Sequence, residues 1–179
     1  MYERNRALRP DAGRDSIAGV INGWHTARPD LDVEPIAITA RLARLRPALG
    51  TRLEQVFAQH DLTGADFAVL ATIVRTGGAP LSQRQLMAEL NLTAGTISVR
   101  VNRLVRDGLV SRDPDPTDGR GALIGLTDRG RAAFEACAPE HLANARQLVS
   151  GLTKAERDQL AALLSKLLHS LEPPAAGER

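Results

Sequence analysis

The sequence predicts a mainly α-helical chain with one small β-wing, and three observations carry that prediction. Apolar residues recur at helical spacing over most of the chain, which is the signature of one buried helix face. Three cap signals, Thr63-x-x-Asp66, Ser82-x-x-Gln85 and Thr153-x-x-Glu156, stand where such periodic stretches begin. Between residues 109 and 126 the helical period breaks. Two short apolar runs there flank a segment rich in Pro, Asp and Gly, the pattern of a hairpin with a long tip.

Length and composition bound the rest. A chain of 179 residues fits one ordinary domain, or a small domain with an oligomerisation element, and 43% hydrophobic content is enough for a core. The net charge is only +2, so no global basic field points to an acidic partner. Cys137 is the single cysteine, which excludes an internal disulfide framework and fits a reducing cytoplasm. No run of about 18 apolar residues exists, so no membrane partner is expected. The arginine-bearing N-terminus also lacks the apolar region of a secretion signal.

Taken in order, residues 1–13 carry Pro10 and Gly13 and read as a flexible arm. Residues 14–60 read as N-terminal helices for dimerisation. The first runs from Arg14 to His25 through Ile17, Val20, Ile21 and Trp24, and Arg28-Pro29 breaks it. Pro35 opens the second, since a first-turn proline loses no helical bond. It runs from Ile36 to Gln59 through Ile38, Leu42, Leu45, Leu49, Leu53, Val56 and Phe57, with a kink expected near Pro47.

Residues 61–130 form the next block. A helix capped at Thr63 runs through Phe67, Leu70, Ile73 and Val74 and stops at Gly77-Gly78-Ala79-Pro80. A short helix from Gln83 to Leu90 turns through Asn91-Leu92-Thr93 into another helix ending near Arg106. Leu109 to Arg112 and Ala122 to Leu126 are the hairpin strands, with Arg120 near the tip. Helix, tight turn, helix, hairpin is the order of a winged helix-turn-helix. Residues 131–171 follow as C-terminal dimerisation helices. One starts at Thr127, passes Ala133, Phe134, Cys137, Ala138, Leu142, Ala145 and Leu148, and is expected to be interrupted at Pro139. The last carries Leu160, Leu163, Leu164, Leu167, Leu168 and Leu171 on one broad side. A second copy of the chain is the economical place to bury them, so a homodimer is expected. Pro173-Pro174 ends that helix, and 172–179 reads as a disordered tail.

The stretch from Thr93 to Gly108 points to function. At about 100° per residue, Ile97, Val101 and Leu104 share one stripe, while Thr96, Val99, Asn102, Arg103 and Arg106 spread over the other side. Hydroxyls, an amide, guanidinium groups and one exposed valine suit phosphate oxygens, base edges and a thymine methyl in a major groove. Double-stranded DNA is therefore the expected partner. Thr96, Ser98, Val99, Asn102 and Arg103 are expected to read bases or position the helix. Arg100 and Arg106 are assigned to phosphates and Arg120 to the minor groove, and Thr93 and Arg112 are expected among the DNA-binding residues. Asp118 is expected to be an internal salt-bridge partner that holds a wing arginine.

No nucleophile elbow, phosphate-binding glycine loop or metalloprotease helix occurs, so no enzyme and no cofactor is expected. Cys137 and His141 are four apart but lack companions for a metal site. The run Asp113-x-Asp115-x-x-Asp118-Gly119 fails as a calcium loop, with Ile124 where the closing glutamate belongs.

From Pro35 to Leu171 the sequence resembles the MarR family of bacterial transcriptional regulators. The resemblance rests on Leu62-Thr63 before Asp66-Phe67-Ala68-Val69-Leu70, then Gly95-Thr96-Ile97-Ser98 with Asn102-Arg103-Leu104. Asp107-Gly108-Leu109-Val110-Ser111-Arg112, Asp113-Pro114, Asp118-Gly119-Arg120 and Leu126-Thr127-Asp128-Arg129-Gly130 complete it. Gly119 departs from the family's Asp-Arg-Arg wing pattern, which removes one candidate phosphate contact. The resemblance implies a cytoplasmic, nucleoid-associated repressor that grips a near-palindromic operator as a homodimer and is released by a small anionic or aromatic effector.

The segment Trp24-His25-Thr26-Ala27-Arg28-Pro29-Asp30-Leu31-Asp32-Val33-Glu34-Pro35 resembles the N-terminal extension of the PecS and urate-responsive subgroup. That likeness implies a ligand pocket beside Trp24, with Arg100 matching an arginine of the subgroup. Ala68 stands where the subgroup carries a carboxylate. Read from chemistry alone, Trp24 is equally a core or interface anchor. Two other readings compete with the ligand-released repressor: a redox- or metal-responsive regulator that uses Cys137, and a constitutive architectural or interaction protein.

Overall fold

The computed structural model describes residues 15–116 and 118–172, and of 118–120 the backbone alone. The arm expected over 1–13 lies outside the described residues, as does the expected tail apart from Glu172. The chain divides into two compact units, 1–51 and 52–179.

In the first unit, helix α1 spans Ser16–Ala27 rather than beginning at Arg14. Asp15 sets that start, its carboxylate accepting from the Ile17 and Ala18 amides at 2.9 and 3.0 Å. The same carboxylate pairs with Arg41 at 2.6 Å, and this partner holds it below the ordinary aspartate range. Helix α2, Ile36–Gln59, is a single element that passes through Pro47. Its last turns belong to the second unit.

The second unit continues with α3 (Gly64–Arg75), β1 (Leu81–Ser82), α4 (Gln83–Leu90), α5 (Ala94–Arg106), β2 (Val110–Asp115), β3 (Asp118–Leu126), α6 (Asp128–Leu148) and α7 (Lys154–Leu171). The capping boxes read from the sequence form at Thr63/Asp66, Ser82/Gln85 and Thr153/Glu156. Between α4 and α5, Asn91 takes the left-handed conformation with φ 50° that lets the chain turn within three residues. The core joins Phe57 of α2, Val69, Leu70 and Ile73 of α3 and Leu86 of α4 to Ile97, Val101 and Leu104 of α5. Val110, Ile124 and Cys137 close it from the wing and α6. The mainly α architecture with a small wing is the expected one.

Three expectations need correction. The sheet has three antiparallel strands in the order β1-β3-β2, not two. Leu81 and Ser82 pair with Ile124 and Leu123, and two residues are too few to show a strand period in sequence. The tip is also shorter than the Pro and Asp content suggested, because pairing runs out to Asp115 opposite Asp118, with an irregularity at Pro114/Asp115. β2 is an edge strand, where a proline without an N–H breaks no inner ladder. Finally, α6 is continuous through Pro139. The carbonyls that Pro139 and Pro47 leave without a helical donor belong to Glu135 and Ala43, which are exposed, so the missing bonds cost less there than in a buried turn.

Candidate nucleic-acid interface

α5 is built to show one face. Ile97, Val101 and Leu104 are completely buried, and burying three such side chains anchors the helix by several kcal/mol, about 1.5–3 each. Thr93 caps the helix, accepting from the Thr96 amide, and its hydroxyl lies 3.0 Å from that of Thr96. On the other side, Val99 is 71% exposed, and Asn102 and Arg106 are exposed with it. Arg100 is half-buried.

Two neighbours grip this outer face. Gln83 of α4 donates through Nε2 to the Ser98 hydroxyl at 2.6 Å, tying the two helices of the turn together. Arg112 of β2 donates through Nη1 to Oδ1 of Asn102 at 3.0 Å, tying the wing to α5. Sequence reasoning assigned Ser98, Asn102 and Arg112 to the site but missed Gln83, fifteen residues from Ser98; no local signal connects them.

Arg103 has a different setting from the one expected. Its Nη2 lies 3.2 Å from Oδ2 of Asp66, which is 3% exposed, and its Nε lies 3.6 Å from Asp107. The Asp66 carboxylate also accepts from the Thr63 amide and hydroxyl. Removing Arg103 would leave a buried carboxylate short of its charge partner, so this arginine first holds α5 against α3. Arg106 and Arg112 remain exposed. The backbones of Asp118 and Arg120 lie in β3 at the wing tip, and their side chains lie outside the described residues. Trp24 is 43% exposed on α1, in the first unit, while Arg100 belongs to the second.

Cys137 is fully buried in the core, and burial, followed by the charge of Glu140, pushes its thiol above the ordinary range. A thiol held protonated is a poor nucleophile. Alkylation of the native protein at neutral pH should therefore be at least about tenfold slower than that of the urea-unfolded chain. Equal rates followed by mass spectrometry would return Cys137 to the list of redox candidates. Among the described residues no three His, Cys, Asp or Glu side chains gather as a metal site, and no helix is long and apolar enough to cross a membrane.

Residues 60–121 match the MarR family. The HTH-type transcriptional regulator PecS of Dickeya dadantii (strain 3937) is 33% identical over 153 residues, covering 84% of this chain and 92% of that protein. The chain belongs to the MarR family. Among solved structures, a MarR mutant from E. coli complexed with operator DNA superposes with a TM-score of 0.68 at 30% identity, covering 76% of this chain and 97% of that one. The PcaV regulator of Streptomyces coelicolor, in complex with its natural ligand, gives 0.68 at 26% identity, covering 79% and 98%. This MarR-family protein is thus a winged-helix, DNA-binding transcriptional regulator, and the family is not one of enzymes.

Proposed function

We propose that this regulator acts as a homodimeric repressor on a near-palindromic operator in the bacterial cytoplasm, with α5 of each copy in a major groove and each wing tip over a minor groove. The observation that carries the proposal is the outer face of α5: a fully buried stripe behind, and Val99, Asn102 and Arg106 turned to solvent in front. Thr96 and Val99 contact base edges, Asn102 reads a base, and Arg100, Arg106 and Arg112 take phosphates. Arg120 enters the minor groove. The dimer is supported by α7, whose 18 residues include none buried within the chain. An isolated helix of that length is marginal in water.

A small anionic or aromatic effector releases the DNA by favouring the spacing of reading heads that does not fit the operator. Trp24 and Arg100 are its candidate contacts. The ligand complex of PcaV supports this part of the reading.

Selection from randomised duplexes at about 0.2 M salt should return a two-fold symmetric site with half-sites about one helical turn apart. On that site Arg106→Ala should reduce the slope of log K against log salt by roughly 1.8, two phosphates per dimer at about 0.9 each, and Arg120→Ala, which withdraws a charge from each minor groove, should weaken binding and also flatten the slope. Unselective binding, or slopes identical to wild type in both variants, would refute the assignment.

A further inference from the structure

The hydrogen bond between β2 and α5 carries a consequence for sequence preference, and it rests on the reading of α5 as the helix that meets base edges. Asparagine in a major groove ordinarily recognises adenine with both ends of its amide, the oxygen accepting from the N6 amino group and the nitrogen donating to N7. That pairing needs the amide oxygen to accept from the base. Here Arg112 Nη1 already donates to Oδ1 at 3.0 Å, so one of that oxygen's two lone pairs is taken and a guanidinium charge stands beside it, which disfavours the approach of a second donor such as the adenine amino group. A guanidinium has no acceptor, so the amide nitrogen cannot be turned toward it, and the orientation of Asn102 is settled by chemistry. The side chain is exposed, and with a guanidinium on its oxygen the two N–H donors are what it offers a base more readily.

One turn earlier the same conversion takes place at Ser98. The Gln83 amide nitrogen lies 3.4 Å from the Ala94 carbonyl, which can only accept, and 2.6 Å from the Ser98 hydroxyl. Ser98 therefore accepts from Gln83 and keeps its own O–H to donate. Residues 98 and 102 share a helix face. Two side chains able to act as either donor or acceptor have each had one lone pair taken by a neighbour on another element, which biases both toward donating.

We propose that Asn102 is a guanine-selecting residue, and that Arg112 makes it so. In the major groove guanine presents two acceptors, N7 and O6, which match a pair of donors. Adenine sets its N6 donor against them, and cytosine offers a donor. Arg112 acts as a positioning residue for base choice, whatever further contact it makes with phosphate.

Duplex selection with the full-length protein tests this directly, with Asn102→Ala and Arg112→Ala beside the wild type. The operator position whose preference collapses in Asn102→Ala is the one that Asn102 reads. Wild type should favour guanine over adenine there by about tenfold. In Arg112→Ala the freed amide oxygen should bring the two bases to parity or reverse their order, with preferences elsewhere in the site retained. General loss of affinity from the missing charge affects all sequences alike and drops out of the ratio. Adenine preferred by wild type at that position, a ratio untouched by Arg112→Ala, or no position sensitive to Asn102→Ala each overturns the proposal. A wild-type protein that binds every duplex equally overturns instead the reading of α5 on which it stands. Thermal melting of both variants should match wild type, since both residues are exposed.

Discussion

Leu164→Glu combined with Leu167→Glu converts the protein to a monomer and lowers operator affinity by about a hundredfold or more. Leu160, Leu163, Leu164, Leu167, Leu168 and Leu171 are between 36% and 74% exposed within a single chain, and they occupy one broad side of α7. Each leucine driven into a dimer interface contributes about 1.5–3 kcal/mol, and an acid in its place must be desolvated without a partner. Each half-site would then be gripped by an untethered reading head. Losing the link forfeits the effective concentration that makes the second contact intramolecular, a factor of about 10²–10⁴. Sedimentation velocity at micromolar concentration and gel shift on the selected site measure the two effects. Circular dichroism should show the winged-helix unit still folded. A wild-type protein that sediments as a monomer, or a double variant that stays dimeric with full affinity, would remove dimerisation through α7 from the account.

Gly130→Ala should destabilise the fold by about 3 kcal/mol and lower Tm by about 10 °C. A Cβ built on Gly130 would lie 1.9 Å from the Leu109 carbonyl oxygen and 2.9 Å from its carbon. That carbonyl is backbone at the entrance to the wing, and it already accepts from the Thr127 amide at 3.2 Å, while the Thr127 hydroxyl donates to the Gly108 carbonyl at 2.7 Å. Neither side can step aside without undoing the junction of α5, wing and α6. DNA affinity should fall with stability, because this junction sets the wing against α5. Gly19→Ala is the control, with nothing within 4 Å of its Cβ, and in the helix α1 it should be neutral or stabilising by about 0.5–1 kcal/mol. A Gly130→Ala variant that melts with wild type would show that α6 docks on the wing less tightly than these distances require.

Much of this molecule was legible locally. The three capping boxes, the apolar stripe of α5 and the turn at Asn91 each depend on successive residues no more than four positions apart, and they form as their spacing predicts. Errors arose where a local rule competed with surroundings. Pro139 interrupts nothing because its turn is exposed, and Pro114 stays in a strand because that strand is an edge. β1 exists only because β3 lies beside it.

The candidate site divides the same way. Periodicity alone determined which residues of α5 face outward, since a 3.6-residue repeat decides that before any neighbour is present. What each of those residues has left to offer was decided by tertiary contact. Arg103 is paired with Asp66, thirty-seven positions away in the chain, Ser98 with Gln83, and Asn102 with Arg112. Hydrogen-bonding capacity is finite and is consumed by whichever group the fold brings near. A sequence can therefore name the face that meets DNA, while only the packed structure sets which donors and acceptors that face presents.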